Sequence, residues 1–475
     1  MIHPLNLSRW GLTMAFVAVL SGCANFDVQE GLARANVDTK EWTQGALQLA
    51  RTDSEKQQRH ALSSRLLAQP LGPTEAVQLM LANSPSFQAL IAQSWFASAS
   101  AAQSGRISNP VFSYESVVTG TQTEINRFLS FGLLDLLTLP RRSAMAELRI
   151  EQSQLRLASD VIDRVTQVKQ AWVRAVAAAQ SLAYAQQVYE SAQVSAELAR
   201  RMQAVGNFNR LTRARHQAFY ADAATQLVTA KQNAMSKREE LVRQLGLNLE
   251  QAQMLVLPSK LPDIPKQPLS DDEVGKQASR DRLDVLLAKA TWDASAKAQG
   301  LVGITSLTDI EVTASKGRAS DSSSGTSTTH RGYEVGIRLP VFDGGSLQRD
   351  AMNAQTLAAA NNLEATLRAA GSGLRESYSA YRSAYDISRH YKDEVLPLRK
   401  VMAEENMLRY NGMVIGVFEL LADARDQVST VVSAIAADQQ FWLADATLKA
   451  HLMGRPTSLG GVSVTSTSSS AVAGH

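Results

Sequence analysis

VIDRVTQVKQAWVRAVAAAQSL, residues 161–182, sits at the centre of a run from Arg141 to Val205 that contains neither glycine nor proline. Both residues interrupt helices, so their absence over such a length predicts one continuous helix. Within it Val161, Val165, Val168, Trp172, Ala175, Ala179 and Leu182 recur in alternating steps of four and three. That spacing lays one apolar stripe against a neighbouring helix, as in a coiled-coil seam. At the usual rise the run would reach roughly 100 Å, a length that globular domains rarely hold. A second long run follows from Ser346 to Tyr410. The expected architecture is therefore mostly α, built on duplicated long helical hairpins with other elements at their ends.

Each long run is followed by a turn and a returning helix. Val205-Gly206-Asn207 reverses the chain, and Asn209 can cap a return helix reaching Leu245, just before Gly246. Tyr410-Asn411-Gly412 makes the second reversal, with a return from about Val417 to Met453. A shorter helix is expected ahead of each long one: from Thr74 to about Ser104, and from Asp271-Asp272-Glu273 to about Gly300. A return helix and a leading helix together match one long helix in length, so two short helices stacked end to end would flank each long one. Gly371, Gly373 and Pro397 are expected to bend the second long helix.

Between leading and long helices the period changes from helical to alternating. Phe112, Tyr114 and Ser116 alternate with Ser113, Glu115 and Val117, and the pattern resumes in Ile125, Arg127, Leu129 and Phe131 after a turn at 119–124. The second copy has Ile310, Val312 and Ala314 against Asp309, Glu311, Thr313 and Ser315. Tyr333, Val335, Ile337 and Leu339 then alternate with Glu334, Gly336 and Arg338 after a Ser/Thr/Gly loop at 317–330. These are two antiparallel hairpins. Each strand of nine or ten residues has the length that crosses a bilayer when tilted. Asp309, Glu311, Glu334 and Arg338 are expected to face water, and Ile310, Val312, Tyr333, Val335 and Ile337 to face lipid. Four strands cannot close a barrel, whereas three chains would supply twelve, an even number within the outer-membrane range.

Composition narrows the functional classes. The near-balanced charge, formally +3, argues against a nucleic-acid partner. Aromatics make up 6% of the chain, which suits thin, closely packed helices. The single cysteine excludes a disulfide framework and a cysteine-rich metal site. It lies in an informative place. Arg9, the apolar run Trp10–Leu20 and the small residues before Cys23 describe a secretory signal over residues 1–22. Leu20-Ser21-Gly22-Cys23 resembles the lipobox of bacterial lipoproteins, which implies lipidation at Cys23. Ala24, rather than aspartate, implies delivery to the outer membrane.

The remaining boundaries follow from these elements. Residues 23–70 form an N-terminal arm that is extended or partly helical, and 71–250 the first repeat. Residues 251–270, with Pro258, Pro262, Pro265 and Pro268, form a stiff linker. The second repeat spans 271–455, and 456–475 is a Ser/Thr-rich disordered tail.

Over residues 70–455 this order resembles the TolC-like outer-membrane efflux factors, in their lipoprotein branch. The resemblance rests on the repeated helix–hairpin–long helix–helix plan and on Phe342-Asp343-Gly344-Gly345. It rests also on Gly206-Asn207-Phe208-Asn209-Arg210-Leu211 and on the stretch from Tyr410-Asn411-Gly412 to Phe418-Glu419. It implies a homotrimer with a 12-stranded β-barrel in the outer membrane, continued by an α-helical barrel across the periplasm. Such a duct passes small molecules or ions outward with a periplasmic adaptor and an inner-membrane transporter. It carries no cofactor beyond the lipid on Cys23. The alternative from another class is a non-pore periplasmic scaffolding or adaptor lipoprotein.

In the family, the hairpin tips close the tunnel and carry carboxylates at its narrowest point. Glu419 stands at the usual acidic place. The usual second acid is Ala422 here, with Asp423 one place later, and Met413 stands where the family has glycine. The first tip is basic, with Arg200, Arg201, Arg210, Arg213 and Arg215; the second is acidic, with Glu404, Glu405, Glu419, Asp423 and Asp426. Glu419, Asp423, Tyr410, Arg210 and Arg213 are thus the candidate gate residues, and pairs between the two tips would hold the gate shut. The seven histidines are scattered, Gly371-Ser372-Gly373 lacks the strand and third glycine of a nucleotide fingerprint, and no catalytic constellation or metal spacing appears. A non-enzyme is expected.

Overall fold

The computed structural model describes residues 28–271, 274–275, 282–306 and 308–455. Cys23, the expected signal segment and the tail from 456 lie outside these residues. The N-terminal arm carries α1 (Val28–Asp38), α2 (Lys40–Thr43) and α3 (Asp53–Leu67). Next come α4 (Pro73–Asn83), α5 (Pro85–Ser104), β1 (Val111–Thr119), β2 (Gln122–Gly132), α6 (Leu133–Ala204), α7 (Arg210–Leu245) and α8 (Leu249–Met254). The second half holds α9 (Leu283–Thr305), β3 (Ile310–Asp321), β4 (Thr326–Ile337) and α10 (Ser346–His390). A π-helical turn (Tyr391–Val395), α11 (Leu396–Asn411) and α12 (Val417–Leu452) complete it.

The chain divides into two compact units. The first gathers α1 with Ala89–Ser159 and Leu283–Ala369; the second gathers Glu41–Gln88, Asp160–Arg282 and the residues from Ala370 onward.

The first unit is organised by one antiparallel sheet in the order β1-β2-β3-β4. Its register puts Phe112 opposite Leu129, Leu129 opposite Ala314 and Ala314 opposite Tyr333, one apolar row across all four strands. Phe131, Val312 and Val335 form the adjacent row, and Ile310 pairs with Ile337 beyond it. Side chains alternate between faces, so the other face carries Glu115, Glu124, Glu311, Asp321 and Glu334. The apolar rows lie uncovered: Phe112 is 64% exposed, Val335 61% and Tyr333 87%.

The strands run further than the alternation predicts. The Ser/Thr/Gly stretch expected as a loop at 317–330 is ladder instead, with Gly317 opposite His330 and Asp321 opposite Thr326, leaving only 322–325 as the turn. Polar residues sit comfortably on a ladder that bonds on both sides, and β2 extends as far to pair with β3. Phe342-Asp343-Gly344-Gly345 turns the chain from β4 into α10. Asp343 Oδ1 accepts the Gly345 N–H at 2.8 Å, an Asx turn, and Arg349 Nη1 donates to Gly344 O at 2.8 Å. Gly345 has φ +67, and a Cβ there would press on Ser306.

In α6 the long helix begins eight residues before the expected Arg141 and carries Pro140 inside its second turn. Leu136 therefore loses its usual N–H donor, a local defect that the rest of a 72-residue helix outweighs. The leading helix is broken at Ser84-Pro85 into α4 and α5. Pro73 takes the first helical position after Gly72, so Thr74 is not the cap.

The second unit has a conventional core. Val161, Val165, Val168 and Trp172 of the α6 stripe are buried, and Trp172 Nε1 donates to Leu71 O at 2.7 Å. Tyr381, Ala384, Tyr385, Phe441, Ala444, Leu448 and Leu452 pack with Ile264 and Val274. Here the proline-rich linker is a strap, not a free spacer. Trp442 Nε1 donates to Pro262 O, Tyr385 Oη to Lys266 O and Tyr378 Oη to Leu269 O, while Tyr381 Oη accepts the Leu269 N–H. Buried backbone without a ladder needs such partners.

The expected bend at Gly371 and Gly373 does not interrupt α10; the interruption is the π turn at Tyr391–Val395. Leu396 N–H reaches back to Tyr391 O, the wide turn that makes room for the Pro397 ring. The return helices keep their expected limits: Asn209 caps α7 through its side chain to Thr212 N, and Gly246 ends it in the left-handed conformation.

Candidate functional site

Both helix reversals lie in the second unit, and both close the same way. At the first, Asn207 N donates to Met202 O at 2.9 Å around Gly206, φ +83. At the second, Val414 N donates to Arg409 O at 2.8 Å around Met413, φ +59. This six-to-one bond around a left-handed residue is the Schellman closure of a helix end.

The expected gate residues are all near these reversals, but their charges are not paired as the sequence suggests. Arg200 and Arg201 both bind Glu197 of their own helix, at 2.8 Å each, which holds the Glu197 carboxyl down at about 2. Arg213 Nη1 donates to Gln203 at 2.9 Å. Arg210, Glu419 and Asp423 make no ion pair among the described residues. Glu419 lies in the first turn of α12, where the helix dipole favours a carboxylate. Asp423 follows one turn later on the same stripe, and Asp426, next along it, is within 3.6 Å of Arg399. Tyr410 is half-buried at the end of α11 and lends its carbonyl to the turn.

The link between the two hairpins has the opposite polarity from the expected one. Arg425 of α12 pairs with Asp222 of α7 at 2.9 Å and lies over the Phe219 ring at 5.7 Å. Arg215 of α7 lies over the Phe418 ring of α12 at 4.5 Å. Val428 packs on Val188, Ala192 and Ala223 beneath. Neither contact was legible locally, because each depends on which faces of two distant helices meet. His216 is a further residue missed by sequence reasoning. Its Nδ1 lies 2.6 Å from Ser195 Oγ, its ring stacks on Phe208, and its buried Nε2 has no partner; burial pulls its pKa down.

Among the described residues no group of His, Cys, Asp and Glu is disposed to hold a metal, and no helix is long and apolar enough to cross a membrane. Cys23 lies outside them.

Comparison with known proteins rests on structure. No protein-family model matches the chain, and no curated protein matches its sequence. A membrane protein from Pseudomonas aeruginosa superposes with TM-score 0.67 at 19% identity, covering 82% of this chain and 93% of its own. The outer membrane protein VceC of Vibrio cholerae gives 0.66 at 15%, covering 80% and 96%. The open-state MtrE outer membrane channel of Neisseria gonorrhoeae gives 0.62 at 18%, covering 82% and 89%. The chain has the TolC-like outer-membrane channel fold.

At the second tip a methionine, Met413, takes the left-handed position that Gly206 takes at the first. A side chain in the left-handed region costs about 1–2 kcal/mol, and Met413 is 93% exposed with no packing to offset the cost. Met413→Gly is expected to stabilise the tip by about 1 kcal/mol, less the added freedom of glycine in the unfolded chain. Hydrogen exchange at 409–416 should slow. Faster exchange would mean that the methionine makes a compensating contact.

Proposed function

We propose that the chain is the outer-membrane exit duct of a tripartite efflux or secretion system, passing small molecules or ions outward. It acts as a homotrimer with a periplasmic adaptor and an inner-membrane transporter, and is tethered by lipid on Cys23. One observation carries this reading: a four-stranded sheet whose apolar face is largely exposed, with two open edges, β1 and β4. Open edges of nine and twelve residues are aggregation templates unless paired. Strand directions alternate through β1-β2-β3-β4, so β4 of one chain meets β1 of the next antiparallel. Three chains then close twelve strands, and closure satisfies every backbone group that lipid cannot. The apolar rows face the hydrocarbon and the carboxylate-bearing face lines the lumen. The two hairpins of each chain would build the helical barrel, with their tips at the periplasmic entrance.

Purified protein added to planar lipid bilayers should insert as conducting units, and unheated gel samples should migrate as a trimer. A monomer that never conducts would favour the scaffold reading and overturn this one. In the trimer, the unpaired Glu419 and Asp423 present a ring of carboxylates, the arrangement that attracts cations at a constriction. Glu419→Ala with Asp423→Ala should weaken block by divalent cations and reduce cation preference. Unchanged conductance together with unchanged block would remove both residues from the aperture.

A further inference from the structure

The sheet separates its charges completely. Every Arg and Lys of the strands (Arg127, Lys316, Arg318, Arg331) lies on the face that carries the apolar rows; every Asp and Glu lies on the other. Three of the cations form a single row. Tyr114 is opposite Arg127, Arg127 opposite Lys316, and Lys316 opposite Arg331. This row directly follows Phe112–Leu129–Ala314–Tyr333 on the side of the hairpin turns. Like charges directly opposite on adjacent strands repel. Yet Arg127, Lys316 and Arg331 are exposed and have no ion pair or hydrogen bond among the described residues. The neighbouring cation, Arg318, reaches only the Ser327 hydroxyl at 3.0 Å.

Depth identifies what neutralises them. From Val341 through Leu339, Ile337 and Val335 to Tyr333, every second residue is apolar. Within β4, which ends at Ile337, the part from Ile337 to Tyr333 is roughly 14 Å along the strand at about 3.4 Å per residue. That is about 10 Å in height once tilted, the outer portion of the apolar band of an outer-membrane barrel. Leu339 and Val341 follow it past a tight turn at Pro340. The cation row comes immediately above this band, with Tyr114 and Tyr333 beside it as interfacial aromatics. That is the depth of lipid phosphates. A carboxylate partner is absent from the whole face, whereas a phosphate can accept from two guanidinium groups and an ammonium at once.

We propose that Arg127, Lys316 and Arg331 bind the headgroup phosphate of an anionic lipid in the outward-facing leaflet. The proposal rests on the membrane placement of the sheet given above. Native mass spectrometry of the detergent-solubilised trimer, titrated with phosphatidylglycerol or phosphatidylcholine, tests it. Wild type should retain phosphatidylglycerol preferentially, and inorganic phosphate should compete poorly because it lacks the acyl chains. Each cation near a charged surface contributes about fivefold. Lys316→Gln should therefore weaken anionic-lipid retention about fivefold, and the triple Gln variant on the order of a hundredfold. Glu115→Gln, on the opposite face, should change nothing. Both Gln variants lose a like-charge repulsion and should still form pores, so conductance separates the two ideas. Pores with undiminished phosphatidylglycerol retention in the triple variant overturn the lipid site alone. Absence of pores in wild type overturns the placement.

Discussion

Phe441→Ala should cost the second unit about 3–5 kcal/mol, among the largest losses available to a single truncation in this chain. Its ring is fully buried, 5.6 Å from Tyr381, 5.8 Å from Tyr385 and 5.1 Å from Trp442, centroid to centroid. The contacts to Tyr385 and Trp442 are edge-on, the favoured arrangement for opposed quadrupoles. All three neighbours also hold the strap at 262–269 through their polar ends. Truncation therefore leaves a cavity and loosens the residues that bond the strap backbone. Thermal unfolding followed by helical circular dichroism should shift downward. Limited proteolysis should open new cleavage sites within 255–270. A variant that melts lower while the strap stays resistant would show that the aromatic side chains hold it without support from Phe441.

The strap also marks the boundary of what local sequence can encode. Asn209, Leu245 and Gly246 set the limits of α7 through bonds within a few residues, and those limits are readable from residue type. The sheet faces are readable for a similar reason, since alternation at Ile310–Ala314 and Tyr333–Ile337 survives pairing unchanged. The strand ends at 317–330 are not, because their length is set by the partner strand rather than by their own side chains. Pro262 and Pro265 read as linker, yet the segment they lie in is held by Trp442 at Pro262 O and by tyrosines at Lys266 and Leu269, all more than a hundred residues away. At the tips the opposed charges of the two hairpins are evident, but Glu197 engages two of the arginines locally before any distant acid can. The ion pair that does cross, Arg425 with Asp222, follows from helix rotation, which periodicity leaves undetermined.

Val335→Arg should prevent assembly in the membrane, whereas Thr313→Arg should be tolerated. The two positions lie in adjacent rows of the same sheet but on opposite faces. Val335 lies in the row Phe131–Val312–Val335, and Thr313 is opposite Glu334. An arginine on the lipid face of a barrel strand costs about 2–4 kcal/mol at mid-depth and less toward the interface, which Tyr333 marks two residues away, so the proposed homotrimer loses up to about 6–12 kcal/mol in all. That upper range is comparable with the whole stability margin of a typical folded protein, about 5–15 kcal/mol. At Thr313 the new guanidinium meets water and the Glu334 carboxylate, an exposed pair worth about 0–1 kcal/mol either way. Expression in the outer membrane, the unheated trimer band and bilayer conductance should all be lost for Val335→Arg and kept for Thr313→Arg. A surface sheet of a soluble protein behaves differently: its uncovered apolar face would accept arginine at either position with little change. Equal behaviour of the two variants would therefore refute the lipid-facing assignment, and with it the closed barrel that lipid demands of an uncovered four-stranded sheet.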